Sequence, residues 1–385
     1  MARTQEVVVM DIGSSRIRML MVEKPNNGIY SVKHIVEVAY DGHFEGEWVD
    51  GDSTAAAIAH AIAKTRDYTK IRRLFVGVPG AFCMVKTGSN GVSFAKRRKV
   101  ERADLEGLFQ KANPFANDPT YVVLNRSSIY YETDAGKKVV DPEGMATSEL
   151  TGKLSFVACK RAMVDYLDQV LHRHGINDIV YTCGIYAEMM CLFEPTVRDS
   201  GMVLMVDAGY LSSTVALMRG DGLYNMCSFS CGSGVICAWM QEVFELSFEA
   251  AVELYDKIDL SYQPREGESY TVRNVGEDGV TRELHISIEK AQAFMNEAIA
   301  HFAGFVQMGM QTFSEPMNNM VSMYLTGGAF MIHGAADCFG KKMGRYIKVA
   351  VPTMCPEYKQ ACCSGYIGLA HFAFQHEESK RRLLW

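Results

Sequence analysis

The feature that most constrains the fold of this chain is a motif that occurs twice, about half a chain apart. Its first copy lies in Val7–Val22, where an apolar block is followed by Asp11, Gly13, Ser14 and Ser15, and then by a second apolar strand. A continuous apolar block predicts a strand that is buried on both faces of a sheet. In the turn after it, backbone N–H groups can point at an anion and the carboxylate can hold a metal ion through water. The motif therefore predicts a phosphate-binding hairpin.

The second copy of the motif lies in Met202–Met218. It has the same order of an apolar block, an acid, a glycine, two hydroxyl residues and another apolar strand, with Asp207, Gly209, Ser212 and Ser213 at those positions. A third glycine site, Gly327 and Gly328, follows the apolar stretch that ends near Leu325. Two hairpins that face each other across a cleft, with a glycine turn where an adenine can lie, form the nucleotide arrangement of actin-type proteins.

On these motifs the sequence resembles the actin-like superfamily, and within it the order of segments is most similar to FtsA-like bacterial cell-division proteins. The resemblance extends from Glu6 to Phe374, and its most family-specific letters are Asp141-Pro142 and Gly144-Met145. It implies an α/β fold with two lobes, duplicated ribonuclease-H-like cores and an FtsA-type α+β insertion in the first lobe.

The resemblance also implies the domain boundaries. We expect the first lobe's core at 1–80, continued at 158–181 and 345–385, and the insertion subdomain at 81–157. The second lobe is expected at 182–344, with a smaller subdomain at about 222–318.

Several local patterns predict individual elements. Ser53–Lys64 reads as a helix capped by Ser53 or Thr54, Tyr181–Phe193 as a helical stretch, and Cys363–Phe374 as a closing helix. Arg345–Val351 reads as a strand of the first lobe. Tyr270–Val275 and Val280–Ile286 are expected to pair as a hairpin.

Composition narrows the class of protein. The net charge of −6 argues against nucleic acid as a partner. The chain has eleven cysteines but no pair of C-x-x-C sites, which argues against a zinc site. Because no signal peptide is seen before Glu6, the cysteines are expected to be reduced thiols in a cytoplasmic protein. The sequence has no stretch of about twenty apolar residues, so it predicts no membrane-spanning helix.

The candidate nucleotide-binding residues come from the three glycine sites. They are Asp11, Gly13, Ser14, Ser15, Arg16, Asp207, Gly209, Ser212, Ser213, Gly327 and Gly328, with Asp11 and Asp207 as candidate metal ligands. Arg16 and Arg18 lie on the same side of their strand as Ser14, because side chains alternate with a period of two, so either could reach a phosphate.

The second hairpin departs from the FtsA pattern, in which three glycines follow the aspartate and two threonines and an aspartate come next. Tyr210 and Leu211 replace the last two glycines, and Thr214 replaces the closing aspartate. Glycine lets a backbone approach a phosphate without a Cβ atom. The side chains of Tyr210 and Leu211 must therefore turn away or occupy the pocket.

Two further departures concern water activation and the ribose. The family's Glu-Pro, which lies near the attacking water in active relatives, aligns with Thr182 and Cys183. The ribose-gripping positions align with Val252 and Tyr255, while Glu253 and Lys257 lie nearby but out of register. We therefore expect ATP and Mg²⁺ binding to be weak or absent, with no catalytic residue, so that the chain is a scaffold rather than an enzyme.

The resemblance implies partners that residue chemistry does not itself reveal. These are the tubulin-like division protein FtsZ, bound through the second lobe's small subdomain, other divisome proteins, and further copies of the chain in filaments or dimers. A peripheral membrane contact is expected through the tail residues Lys380, Arg381, Arg382, Leu383, Leu384 and Trp385. The expected location is the cytoplasm, at the inner face of the membrane at the division site.

Two alternatives remain open on the sequence. One is a pilus-assembly scaffold of actin-like fold, which shares the first and third glycine sites. The other is an ATPase or kinase of the same superfold, for which no general-base aspartate stands out in the cleft sequence.

Overall fold

The chain is described by a computed structural model. It covers residues 5–25, 28–276, 278–315 and 321–382, without the side chains of 380–382. The tail residues Leu383, Leu384 and Trp385 therefore lie outside the described residues, as do the side chains of Lys380, Arg381 and Arg382.

Strands of the first half are β1 (Gln5–Ile12), β2 (Arg16–Lys24), β3 (Ser31–Ala39), β4 (His43–Phe44), β5 (Glu47–Trp48), β6 (Leu74–Val78), β7 (Cys83–Lys99), β8 (Tyr121–Thr133), β9 (Lys138–Val139), β10 (Ala146–Lys160) and β11 (Ile179–Cys183). Strands of the second half are β12 (Val203–Asp207), β13 (Ser213–Arg219), β14 (Gly222–Phe229), β15 (Ser269–Val275), β16 (Thr281–Ser287), β17 (Ser322–Thr326) and β18 (Ile347–Val349).

The helices are α1 (Gly51–Arg66), α2 (Arg102–Ala112), α3 (Arg161–Arg173), α4 (Gly184–Leu192), α5 (Pro195–Ser200), α6 (Ser233–Phe244), α7 (Phe248–Lys257), α8 (Ile288–Gln311), α9 (Ala335–Met343) and α10 (Ser364–Arg382). Short 3₁₀ turns cover Gly80–Phe82, Pro356–Tyr358 and Ala361–Cys363. None of the described helices is both long and apolar enough to cross a membrane.

Two five-stranded sheets have the same plan. Their strand orders are β11-β6-β1-β2-β3 and β14-β13-β12-β17-β18. In each sheet three consecutive strands pair antiparallel, and the first of them pairs in parallel with a strand that arrives by a crossover. Asp11 and Asp207 occupy matching places, because each lies near the carboxyl end of the strand that joins the two halves of its sheet. The plan is that of a duplicated core.

Apolar side chains cover both faces of each of these sheets. On the first sheet, α1 and α3 bury Ile58 and Leu167 on one face, and α10 buries Ile367 on the other. On the second sheet, α8 buries Phe302 on one face and α4 buries Met189 on the other. The continuous apolar blocks of β1 and β12 follow from this double burial.

A third sheet, with strand order β7-β10-β8-β9, covers 83–160 and so overlaps the insertion predicted at 81–157, which it exceeds by three residues. Its long strands pair antiparallel, and α2 packs Leu108 against Leu154 and Phe156 of β10 in a separate core. The hairpin β15-β16 pairs as the sequence predicts, with Tyr270 opposite Ile286.

Three local predictions differ from the structure. The helix predicted from Ser53 begins two residues earlier, because Asp50 accepts the N–H groups of Asp52 and Ser53 and is the N-cap. The stretch predicted as helical from Tyr181 is strand β11 as far as Cys183, since it pairs in parallel with β6. The closing helix extends beyond Phe374 to Arg382.

Two strands also lie outside the parts of the chain to which they were assigned. The strand at 345–351 was expected in the first lobe, but β18 pairs with β17 in the second sheet. The strand β14 falls in the range expected for the small subdomain, but it is an edge strand of the same sheet. The β14 pairing is local, because β14 forms a hairpin with β13, whereas the β18 pairing depends on the free edge of the distant strand β17.

Candidate functional site

A cavity of about 640 Å³ opens between the two five-stranded sheets, at the turns that follow β1 and β12. Ten of the eleven predicted nucleotide-binding residues line it, so the structure brings the three glycine sites together around one cleft. They are Asp11, Gly13, Ser14, Ser15, Arg16, Asp207, Gly209, Ser212, Gly327 and Gly328.

The eleventh residue, Ser213, lies behind the turn. It is 1% exposed, and its hydroxyl accepts the Gly209 N–H at 3.1 Å and donates to the Cys231 carbonyl at 2.5 Å. Its neighbour Ser212 lines the cleft, because successive side chains of an extended segment point to opposite sides. Ser213 therefore fixes the shape of the second turn.

The two turns contact each other directly. The Leu211 N–H donates to the Ser14 hydroxyl at 2.9 Å, across the cleft. A backbone N–H of the second turn and a hydroxyl of the first are both groups that would face a phosphate, and here each is the other's partner. A phosphate that needs the Leu211 N–H must first break this hydrogen bond, whereas the Ser14 hydroxyl, which is the acceptor, keeps its own proton to donate.

Tyr210 fills the space beside this contact. Its ring packs on the first turn of α6, where a Cβ atom on Gly234 would lie 2.6 Å from the ring, so only glycine allows the contact. The ring also lines the cleft, and burial raises the pKa of its hydroxyl. The N-terminus of α6 is thereby covered by an aromatic ring at the point where it could attract an anion.

The two arginines of β2 are held by one carboxylate. Arg16 Nη1 lies 3.1 Å from Glu37, and Arg18 Nε lies 2.6 Å from the other oxygen of the same side chain. Arg18 also approaches Asp11, with 3.7 Å between Nη1 and Oδ2. Both arginines line the cleft, but each already has an anionic partner.

A third carboxyl group, which the sequence analysis missed, lies at the floor of the cleft. Glu188 on α4 is 1% exposed, and the nearby hydroxyls of Thr326 and Ser364 act to lower the pKa of its carboxyl, against the larger effect of burial. Its Oε1 atom has no hydrogen-bond partner among the described residues. The helix reaches this depth because α10 has glycine at Gly368, where a Cβ atom would lie 2.6 Å from the Glu188 Cα.

The sequence held one signal for Glu188. It is the single charged residue in the otherwise apolar α4, G-I-Y-A-E-M-M-C-L. A lone acid in an apolar helix is costly to bury unless it has partners, so this pattern favours a position that faces a cleft.

The three carboxyl groups share a cleft that disfavours charge. Burial, and then the neighbouring Asp11, raises the pKa of Asp207 to about 7. Burial raises the pKa of Asp11 as well, against the opposing effect of Arg18. Burial and the Asp207 charge raise the pKa of Glu188 well above its ordinary value. The groups therefore hold protons that separate, solvated carboxyls would release.

The positions that align with the family's Glu-Pro face away from the cleft. Asn125 of β8 donates to the Thr182 hydroxyl at 2.9 Å and accepts the Cys183 N–H at 2.9 Å. Both residues are fully buried at this junction with the third sheet. They therefore attach that sheet to the start of α4.

The ribose side of the cleft offers little polar contact. Val252 lines the cavity, and the Tyr255 hydroxyl donates to the Ala329 carbonyl. Glu253 and Lys257 pair with each other, with 2.7 Å between oxygen and nitrogen, outside the cavity lining.

The residues that line the cleft fit a magnesium nucleotide only in part. Asp11 and Asp207 could hold a cation through water, but no group of three or more His, Cys, Asp or Glu side chains in the described part of the chain is placed to ligate a metal ion. The covered α6 terminus and the bridged turns fit the phosphates poorly. The arrangement suits a joint between lobes better than a nucleotide cradle.

Comparison with known sequences supports the resemblance to FtsA-like proteins. No protein-family model matches the chain. The chain is 22% identical to the cell division protein FtsA of Streptococcus pneumoniae, over 98% of this chain and 82% of that protein. It is 21% identical to FtsA of Neisseria meningitidis, over 96% and 91%. The predicted resemblance to FtsA is confirmed along nearly the whole chain.

Solved structures show the fold. A chain of the PilM-PilN type IV pilus biogenesis complex superimposes with a TM-score of 0.57 at 15% identity, covering 95% of this chain and 98% of that one. MreB5 of Spiroplasma citri bound to ADP superimposes with a TM-score of 0.57 at 10% identity, covering 98% of each chain. The prediction of an actin-like fold with two lobes is confirmed.

Proposed function

We propose that this FtsA-like chain is a cell-division scaffold that links the tubulin-like division filament to the membrane and the divisome. The observation that carries the proposal is the similarity to FtsA division proteins over nearly the full length of the chain. A fluorescent fusion in the source cells should collect at the division site, and depletion should give long, undivided cells. Normal division after depletion would refute the proposal.

The nucleotide cleft of this scaffold is degenerate. The Leu211 N–H is already donated to the Ser14 hydroxyl, and Tyr210 covers the start of α6. Losing one uncharged hydrogen bond costs about 0.5–1.5 kcal/mol, and losing a charged one about 1.5–3 kcal/mol. Since each 1.4 kcal/mol changes affinity about tenfold, several losses take a micromolar site to roughly millimolar.

Calorimetry with ATP and magnesium is the direct test of this degenerate cleft. We expect no saturable binding at micromolar protein concentration, and no phosphate release with ATP alone or with a panel of small acceptors. Tight, magnesium-dependent binding would show that the turns open readily and that the site is intact.

The tail of the tubulin-like protein docks on the small subdomain of the second lobe. A groove of about 570 Å³ between α6 and α8 supports this choice, since Trp239, Val243 and Phe244 face Phe294 and His301 there. Its aromatic pairs are close, with 5.6 Å between the ring centroids of Phe244 and Phe294. An apolar groove between two helices suits a short amphipathic peptide.

Val243 is the most useful residue for testing this surface, because it is 63% exposed in the groove. Burying a valine contributes about 1.5–3 kcal/mol, so V243Q should weaken tail binding by about tenfold to a hundredfold. Val49, which is 59% exposed in the first lobe, offers the matched control V49Q. Equal affinities of the two variants would place the tail elsewhere, and no saturable signal with the native chain would remove the partner.

Membrane contact and self-association complete the proposed scaffold. Three basic residues and a tryptophan at 380–385 suit an anionic surface, but so short an apolar patch binds only marginally, so filaments or dimers would supply avidity. Flotation with anionic liposomes should recover the full chain better than a chain ending at residue 379. Equal recovery would remove the membrane contact.

A further inference from the structure

Two adjacent thiols lie in the wall of the cleft, and neither has a place in the proposed scaffold function. Cys362 and Cys363 end the 3₁₀ turn Ala361–Cys363 that leads into α10, and their Sγ atoms are 3.9 Å apart. Cys362 lines the cavity and is partly exposed, whereas Cys363 is 4% exposed. The pair therefore has one sulfur facing the cleft and one directly behind it.

The surroundings of the pair favour a thiolate. The hydrogen bond with Cys362 lowers the pKa of Cys363 to about 6, against burial, and the Tyr366 hydroxyl contributes in the same direction. The same hydrogen bond, and then burial, raise the pKa of Cys362, so Cys363 is the thiolate of the pair and Cys362 holds the proton between them. The Arg18 guanidinium, which lies 5.5 Å from the centre of the Tyr366 ring, supplies the nearby positive charge. Thiols beside a cation and a hydrogen-bond donor are the reactive ones in proteins.

We propose that Cys362 and Cys363 are a redox-active vicinal dithiol, which small-molecule disulfides such as glutathione disulfide oxidise to a disulfide ring in the cleft wall. Cys362 passes its proton to the Cys363 thiolate across their contact and attacks one sulfur of the small disulfide, forming a mixed disulfide and releasing one small thiolate. Cys363 then attacks the Cys362 Sγ, closing the ring and releasing the second thiolate. The two protons of the dithiol pass to the two released thiolates, so two thiols are oxidised and one small disulfide is reduced.

Ring closure acts on the junction between the lobes. Adjacent Cα atoms are about 3.8 Å apart, whereas an ordinary disulfide spans about 4.4–6.8 Å, so the ring must distort the peptide between the two cysteines. The same turn presents the Ala361 carbonyl to the Gly327 N–H at 3.2 Å, which ties it to the end of β17. Oxidation therefore loosens the contact between α10 and the third glycine site.

Strain of this kind also makes the disulfide easily reduced. The pair would respond to the thiol–disulfide balance of a cell and return to the dithiol when that balance recovers. Small disulfides can reach this site, because Cys362 is partly exposed and lines the cleft.

The primary test uses the full native chain in glutathione buffers of increasing disulfide fraction, with alkylation of the remaining thiols and peptide mass mapping. We expect a peptide in which Cys362 and Cys363 have together lost two hydrogens and escaped alkylation, and which recovers both thiols after reduction. C363S should instead accumulate glutathione on Cys362, because the second attack is lost. Cys338 is a partly exposed cysteine on α9, so C338S is the control that should leave ring formation unchanged.

The consequence for the junction is measured by hydrogen exchange. Oxidation should speed amide exchange over residues 324–329 in the native chain and leave C362S unchanged. The proposal fails if both thiols stay alkylatable in oxidising glutathione, or if either one pairs with a third cysteine. It also fails if a stable mixed disulfide forms on the native chain without ring closure, or if exchange at 324–329 does not respond.

Discussion

Replacing Asp207 by asparagine should stabilise the protein, and the gain should grow with pH. The pKa of this carboxyl is raised from its ordinary 3.8 to about 7, chiefly by burial and then by Asp11. The folded state therefore keeps a proton that the unfolded chain releases, so stability is lost as pH rises from 3.8 through about 7. Asparagine, which carries no charge, is free of this loss.

The size of the effect follows from the same two pKa values. Their difference corresponds to about 4 kcal/mol, at about 1.4 kcal/mol for each tenfold change in proton affinity. The stability lost through Asp207 reaches this full value above pH 8 and is only about 1 kcal/mol at pH 4.5. These figures are upper limits, because the carboxyl lines a cleft that water can enter.

Urea denaturation of D207N and the native chain between pH 4.5 and 8.5 measures the difference in unfolding free energy. We expect that difference to change by about 3 kcal/mol in favour of D207N over this range. Excess magnesium should shrink the change if the cleft carboxylates attract the cation. A difference that stays constant with pH would refute the reasoning about the buried cluster.

Asp134 offers a control of opposite sign. Its carboxylate accepts the Ser148 N–H at 2.9 Å and the Ser148 hydroxyl at 2.7 Å, which lowers its pKa to about 2. Its contribution to stability is present above pH 3.8 and is lost as pH falls towards 2. D134N should therefore be less stable than the native chain at neutral pH, and the deficit should shrink in acid.

Three further variants test separate parts of the structure. Glycine at both Tyr210 and Leu211 should strengthen ATP binding in calorimetry if those side chains obstruct the phosphates, and an unchanged signal would mean that they do not. N125A removes the partner of the Thr182 hydroxyl and the Cys183 N–H. In urea denaturation it should lower the free energy of unfolding by about 1–3 kcal/mol for each group left unpaired. An unchanged free energy would mean that water replaces the amide. G368V forces a side chain against the backbone of Glu188 and should lower the free energy of unfolding by about 1–3 kcal/mol or more, which a lower melting temperature would show. An unchanged melting temperature would mean that α4 and α10 can move apart without loss of stability.

The sequence was most informative where structure is local. The apolar blocks around Asp11 and Asp207 predict buried strands, and the glycine and hydroxyl residues after them predict tight turns, because both signals lie within a few residues. The same turns indicate a shared cleft only because the motif is repeated. The hairpin of β15 and β16 is equally local, since a turn of four residues joins its predicted strands.

The rest depended on packing between distant segments. Which edge β18 joins is decided by the free side of β17, more than twenty residues away in the chain. The lone acid in α4 marks Glu188, but its depth in the cleft depends on the approach of α10 at Gly368, which the sequence of α4 does not reveal. The direct bond between Ser14 and Leu211 joins residues 197 positions apart, so only the folded chain brings them together.

The contact between Ser14 and Leu211 bears on what the cleft is for. In a nucleotide cradle, the phosphate oxygens satisfy the N–H groups of both turns, and the lobes are held together through the ligand. In this chain the turns satisfy each other, Glu37 satisfies both arginines, and raised pKa values reduce the charge of the carboxyls. The Leu211 N–H and the two arginines thus have partners within the chain that a nucleotide phosphate would otherwise supply. The two lobes can therefore hold one arrangement without a ligand, which is the property that a scaffold requires of its joint.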